Sequence, residues 1–492
     1  LTDLRPGRGL PGARRVPTGA GAGGARRRRN TELVLVLFAV LTAAFADADA
    51  ECALHGGLPG AFALQVCGLG AVAVLAHLAV RRFAPYADPL ILPLAVFLSG
   101  LGLVLLHRLD ISYAAKYKSV PVAGGQVMWL CIGVAAFIAV TVGLKHHRIL
   151  QRYTYVLMAG ALVLLAAPAF FPGDTYGAKR WIRLGGFSFE PDEFTKLVIT
   201  IFFAGYLTVQ RDALALASRR VLGMYLPRGR NLGPVVAIWA ASLLVLIFER
   251  DLGTSLIFFG IFVVMLYVAT ERTSWVVIGL LLATVGAGVV GSMEPHVHGR
   301  VVAWLHPMDI YLPHPPPGLI SEQGAQAMFS FGSGGVLGSG LGQGYPWLIG
   351  FAGRSDFILT TVGEELGAAG VLALLLVYAL LAERGLRTAL VLTDPFGKLL
   401  AAGLSAALVL QVFVVAGGAS GLIPLTGKAL PFLAQGGSSM LANWLLVALL
   451  LKLSDAAGRT QLEPGPDPDG TVTLSAEEIR AGRALQQGIA LG

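Results

Sequence analysis

Charge is what this chain lacks most. Asp, Glu, Lys and Arg make up only 13% of its 492 residues, against about 25% in an ordinary soluble domain. Hydrophobic residues make up 55% and the mean hydropathy is +0.70, so lipid has to cover most of the surface. Cysteine is scarce as well. Cys52, Cys67 and Cys131 are the only three; no pairing is implied and no zinc spacing exists. A Walker loop, a convincing dinucleotide fingerprint and a soluble catalytic domain are all missing. Chemistry, if present, belongs to the membrane body itself.

What the chain has is apolar runs near the ~20 residues needed to cross hydrocarbon. They predict helices at roughly 33–47, 60–80, 88–107, 125–144, 153–171, 194–209, 233–248, 253–270, 274–292, 356–382, 398–418 and 437–453. The fold class is therefore an all-α polytopic membrane protein of about 12 transmembrane helices. The run Leu33–Ala46 follows Arg26–Arg29 and precedes small residues, the pattern of a signal peptide; it is read here as an uncleaved first helix. Most Lys and Arg fall on one set of loops, which places both termini in the cytoplasm. The net charge of +8 reflects this topology and implies no nucleic acid partner. Residues 1–30 and 456–492 read as flexible cytoplasmic tails around a membrane domain at 31–455.

One connection is long. Residues 294–355 form a large extracytoplasmic loop with Pro313, Pro315, Pro316 and Pro317 and a glycine-rich stretch from Gly332 to Gly344. The helical spacing of 322–331, with Gln323 and Gln326 on one side, predicts a partly ordered cap. His296 and His298 form an H-x-H without a third ligand, so they read as interfacial polar residues, and no metal ligand set is assigned.

An ionisable side chain inside a bilayer costs about 2.5–3.5 kcal/mol on insertion scales, so each needs a partner, a water cavity or a task. Glu364 and Glu365 are adjacent and point about 100° apart; they either anchor helix contacts or line a substrate cavity. Glu193 and Lys196 are spaced as an ion pair at a helix entry. Lys179, Arg180, Arg183, Lys196, Arg250, Arg300, Arg354 and Lys428 gather on the outer side, a set suited to a diphosphate. Some of them pair locally instead, as Arg250 does between Glu249 and Asp251. Asp309 is the one carboxylate between Glu294 and Glu322.

The string Gly177–Lys196 (GAKRWIRLGGFSFEPDEFTK) resembles the G-x-x-R-W-I-x-L-G…F-S-x-Q-P-x-E-x-x-K segment of the SEDS proteins, which include FtsW, RodA and SpoVE. Four further strings are similar to that family's motifs, in the same order: Arg250–Thr254, Gln323–Gly342, Ser355–Gly367 and Ile423–Ser439. The first helices resemble those of the RodA-type branch in actinobacteria. Two departures stand out. The family's Q-P is Glu190-Pro191 here. Its D/N-P-x-x-D-P-x-x-x-G-Y-Q becomes His306-Pro-Met-Asp309-Ile-Tyr-Leu-Pro, with the Asp one position early.

The resemblance implies an inverting glycosyltransferase that polymerises lipid II on the outer face of the bacterial inner membrane and releases undecaprenyl diphosphate. It implies a class B penicillin-binding protein as partner, and membrane lipids as surroundings. A lipid II flippase and a non-catalytic scaffold for the transpeptidase are the alternatives. Asp309 is then expected as the base, with Lys196 and Arg300 toward the diphosphate and Glu193 organising Lys196. Arg180, Gln323, Gln326, Asp356, Glu364, Glu365, Lys428, Ser438 and Ser439 complete the expected substrate contacts. No cofactor is assigned, and a divalent cation (Mg or Mn) is left open.

Overall fold

The computed structural model describes residues 19–60, 62–170, 181–184, 187–215, 217–221, 224–227, isolated positions between 236 and 241, and residues 251–293, 295–315 and 321–462. Apolar runs become helices because hydrocarbon offers a peptide group no water, and a helix satisfies each group within its own segment. In chain order the helices begin with α1 (Gly19–His55), α2 (Phe62–Phe83), α3 (Ile91–Tyr117) and α4 (Ala123–Gly143). Next come α5 (Ile149–Arg152), α6 (Thr154–Ala166), α7 (Pro191–Ala215), α8 (Leu252–Thr270) and α9 (Thr273–Met293). Then follow α10 (Pro295–Leu305), α11 (Gln323–Gly334), α12 (Ile358–Glu365), α13 (Gly367–Val391), α14 (Pro395–Ala419) and α15 (Gly437–Leu462). Two antiparallel hairpins flank α7: β1 (Ile182–Leu184) pairs with β2 (Phe187–Phe189), and β3 (Ala217–Val221) with β4 (Met224–Pro227).

Eight of the described helices are long and apolar enough to span a membrane: α1 to α4, α8, α13, α14 and α15. That is fewer than the twelve expected. α6 is apolar but only 13 residues long, α7 is not among the eight, α9 runs for 21 residues with its apolar stretch over Thr273–Val289, and the helix expected at 233–248 lies almost wholly outside the described residues. α1 begins at Gly19, so Arg26–Arg29 form helical turns where a flexible tail to residue 30 was expected. α15 likewise continues to Leu462, past the expected end of the membrane body at 455.

Two apolar cores share α14 and α15. One joins them to α1 to α4, α12 and α13 around Phe137, Phe357 and Trp444. The other joins them to α6, α7 and α8 around Phe262, Met265 and Leu446. Helix ends follow their capping residues. The Asp251 carboxylate accepts from the Thr254 N–H at 3.1 Å and starts α8; Asp394 does the same for α14 through the Gly397 N–H at 2.7 Å, with Pro395 in the first turn.

The helix expected at 356–382 breaks at Leu366–Gly367, where Gly367 has φ +68°. The cause is the glycine-rich stretch. The N–H groups of Ser339 and Gly340 donate to the carbonyls of Glu364 and Glu365 at 2.9 Å, taking acceptors at the end of the first helix. Gly338 lies against Gly367 backbone to backbone, and a Cβ at Gly334 would collide with the Gly363 carbonyl. Glycine is required by close approach here.

Candidate active site

The polar centre of the bundle is built on two adjacent residues of one helix. α7 opens at Pro191, whose missing N–H costs nothing in a first turn. Asp192 and Glu193 follow in that turn, where the helix dipole favours negative charge. They point to different partners and so found two buried networks.

Asp192 belongs to the first. The segment between α14 and α15 delivers Lys428, whose ammonium donates to Glu190 Oε1 at 3.1 Å and to Asp192, and pairs with Asp251 Oδ2 at 2.8 Å. The Thr254 hydroxyl lies 2.8 Å from Asp192 and 2.9 Å from Asp251. A side chain at Gly253 would strike the Lys428 stem. Among the described residues, Glu190, Asp192 and Asp251 are the one group whose oxygens converge as metal ligands would. The Lys428 ammonium bridges all three, so this donor set fits a tethered cation better than a divalent ion.

Glu193 belongs to the second. Lys196, only 3% exposed, donates to Glu193 Oε2 at 2.6 Å, to Gln411 Oε1 at 2.5 Å and to Asn443 Oδ1 at 3.4 Å. Gln411 Nε2 in turn donates to Glu193 Oε1 and to the Ala429 carbonyl, both at 3.0 Å. Asn443 Nδ2 donates to the Ser439 carbonyl at 2.8 Å and to its hydroxyl at 3.1 Å. Ser438 Oγ accepts from the Glu190 N–H at 2.9 Å and ties the networks together. Lys196 and Lys428 were expected to face a diphosphate; the structure gives both ammonium groups internal carboxylate partners.

Asp309 sits apart from these networks, in a 3₁₀ turn over Pro307–Tyr311. Its side chain is 37% exposed, with His306 Nδ1 3.6 Å away, and no contact joins it to Lys196 or Lys428 among the described residues. Its position is nevertheless fixed. α10 leads into the turn, and Val297 packs on Leu252 and Leu256 of α8. Arg300 Nη1 donates to the Leu425 carbonyl at 3.0 Å and Trp304 Nε1 to the Gly421 carbonyl at 2.8 Å. The helix before Asp309 is thereby latched to the segment that carries Lys428. From the other side Gln326 Nε2 donates to Tyr311 Oη at 3.0 Å, and the Tyr311 and Phe329 rings lie 6.3 Å apart. The expected cap is present as α11, with Gln323 in its first turn; Gln323 and Gln326 are half-buried.

Glu364 and Glu365 are buried in a different place. Glu365 pairs with Arg108 of α3 at 2.8 Å and accepts from the N–H groups of Gly342 at 3.1 Å and Gly344 at 3.3 Å. Glu364 accepts from the Tyr345 N–H at 2.6 Å. Glu365 therefore joins α12 to α3 and holds the glycine-rich stretch, and Glu364 holds the residue that follows that stretch. Asp356 Oδ1 accepts from the Ser355 hydroxyl at 2.8 Å, and Arg354 pairs with Asp110 at 2.7 Å. Lys179, Arg180 and Arg250 lie outside the described residues, and the side chain of Arg183 is not described.

Sequence reasoning missed Gln411, Asn443, Asp192, Asp251 and Arg108. The signal for the first two was an amide side chain inside an apolar helix, which needs a partner almost as much as a charge does. The local pattern places Asp251 beside Arg250, which lies outside the described residues, and does not announce its pairing with Lys428.

The family model described as cell cycle protein, covering FtsW, RodA and SpoVE, matches residues 89–458, so α1 and α2 precede the matched region. The peptidoglycan glycosyltransferase RodA of Mycobacterium tuberculosis is 46% identical over 409 residues, 82% of this chain and 85% of that protein. The probable peptidoglycan glycosyltransferase FtsW of Geobacter metallireducens is 31% identical over 375 residues, 75% of this chain and 94% of its own length. Among solved structures, a chain of a peptidoglycan synthase complex has the same fold, with TM-score 0.59 and 23% identity over 75% of this chain and 98% of its own. The Thermus thermophilus rod shape determining protein RodA follows at TM-score 0.51 and 22% identity, over 75% and 96%. The chain belongs to the FtsW/RodA/SpoVE family and is a multi-pass protein of the bacterial inner membrane.

Proposed function

We propose that this chain polymerises glycan strands from lipid II on the outer face of the membrane, as an inverting glycosyltransferase. The names and near full-length match of its mycobacterial relatives support the activity. The observation that carries the residue assignment is Asp309: an accessible carboxylate in a turn whose preceding helix is latched, through Arg300 and Trp304, to the Lys428 segment. In this reading the acceptor sugar hydroxyl gives its proton to Asp309 while its oxygen forms the bond to the anomeric carbon of the donor. The bond from that carbon to the diphosphate breaks from the opposite side, and undecaprenyl diphosphate departs with the electron pair. Positive charge near the departing oxygens stabilises them; Arg300, half-buried on the helix leading into the turn, is the assigned cation. Lys196 and Lys428 act as positioning residues that set α7, α8 and the 420–436 segment. A class B penicillin-binding protein is the proposed transpeptidase partner; a solved structure with this fold comes from an assembly that coordinates polymerization with crosslinking.

A second reading, a non-catalytic scaffold for the transpeptidase, is favoured by one observation. Among the described residues, His306 at 3.6 Å is the one ionisable side chain paired with the Asp309 carboxylate. Purified protein given labelled lipid II, with and without transpeptidase, separates the two. Polymer from the wild type and a loss of about 10²- to 10⁴-fold in Asp309→Asn support the enzyme. A variant as active as wild type removes the base assignment, and a wild type that makes no polymer in either condition leaves the scaffold.

A further inference from the structure

The start of α1 carries a feature that glycan polymerisation does not use, on the face opposite the candidate active site. Arg26, Arg27, Asn30, Thr31 and Val34 line an open cleft of about 500 Å³. The spacing puts them on one side of the helix, and the same side continues as Leu37, Phe38, Leu41 and Phe45, all exposed. One helix face is thus cationic and polar at its end and apolar along its length. By helix rise the step from Arg27 to Val34 is about 10 Å, comparable to the depth of a headgroup region.

The frame beneath is rigid. Arg29 is buried against Glu32 and the Ala87 carbonyl, and Glu32 Oε1 lies 2.7 Å from His77 Nδ1 on α2. Arg81 Nη1 donates to Asn30 Oδ1 at 3.2 Å, which brings the cationic end of α2, Arg81 and Arg82, beside the cleft. Glu32 is fully buried and already taken by Arg29 and His77. Among the described residues, no carboxylate pairs with Arg26, Arg27, Arg81 or Arg82. Exposed guanidinium groups without a carboxylate partner suit phosphate, which they bind through paired N–H donors.

We propose that this cleft is a binding site for an anionic phospholipid of the cytoplasmic leaflet. The phosphate would sit between Arg26 and Arg27, the glycerol oxygens against Asn30 and Thr31, and one acyl chain along Val34, Phe38 and Leu41. A soluble phosphate would use the same arginines but would leave the apolar stripe uncovered, which is why the lipid is the assigned occupant.

The test uses full-length protein and native mass spectrometry with dioleoyl phosphatidylglycerol or dioleoyl phosphatidylcholine as the probe. An arginine in direct contact with the anionic headgroup is worth about fivefold, so R26Q/R27Q is expected to weaken phosphatidylglycerol retention ~25-fold and leave phosphatidylcholine unchanged. R26K/R27K should recover most of it. R148Q/R152Q, exposed on another cytoplasmic segment, should change it by no more than about twofold. Equal losses in both glutamine pairs would mean diffuse attraction of the whole surface and overturn the site. So would displacement of the bound lipid by glycerol 3-phosphate, or equal retention of the two lipids by the wild type. Both arginines are exposed, so the melting midpoint in zwitterionic detergent should match wild type. Should it fall, R81Q/R82Q on α2 gives the same reading, with loss of phosphatidylglycerol preference expected and an unchanged preference refuting the site.

Discussion

Replacing Lys196 by methionine asks whether the lysine organises the site or touches substrate. Its ammonium holds Glu193 at 2.6 Å, Gln411 at 2.5 Å and Asn443 at 3.4 Å, and each partner is buried. Methionine keeps the stem and removes the charge, leaving the Glu193 carboxylate, 3% exposed, without its cation. Breaking a buried pair from one side costs about 3–5 kcal/mol. The double variant Lys196→Met/Glu193→Leu removes both charges. It is expected to recover much of that loss, since apolar replacements of buried pairs are often nearly neutral. The assay is the unfolding midpoint of detergent-solubilised protein, followed beside polymerisation of labelled lipid II. The expected order of midpoints is wild type, then double variant, then Lys196→Met, with activity low in both variants because Gln411 loses its place. A Lys196→Met protein that melts like wild type but makes no polymer would refute the reasoning and put the lysine against substrate.

The same logic applies at Glu365. Glu365→Gln strands Arg108 in the interior, again at about 3–5 kcal/mol, and loosens the N–H groups of Gly342 and Gly344. Hydrogen exchange should rise across 336–345 and stay unchanged in α8; equal protection in both proteins would refute the anchor role. Asp394 predicts a pH effect. Burial pushes its carboxyl up, but the His147 hydrogen bond, the Gly397 N–H and the charges of His147 and Arg148 together bring it below the ordinary value. A depressed folded value means the stability it contributes is complete above about pH 4 and is lost as pH falls through the folded value. Asp394→Asn should therefore flatten the acid-side fall of the melting midpoint, and Asp394→Ala should also lose about 1 kcal/mol of capping at neutral pH.

Much of the fold was legible because hydrocarbon imposes one rule on every spanning segment, and α2, α4, α8, α9 and α14 lie close to where apolar runs place them, whereas α3 continues to Tyr117, well past its expected end at 107. Boundaries failed where a neighbour overrode the local pattern. The run at 356–382 reads as continuous because nothing within it announces that Ser339 and Gly340, distant in sequence, donate to its carbonyls. Lys196 with Glu193 was legible from i, i+3 spacing, whereas Lys428 with Asp192 and Asp251 was not. That cluster spans three segments far apart in the chain, and no local pattern records it.

The Lys428 ammonium gathers Glu190 and Asp192, at the entrance of α7, and Asp251, at the entrance of α8. One side chain of the 420–436 segment thus clasps the entrances of two helices, and truncating it would unfasten both at once.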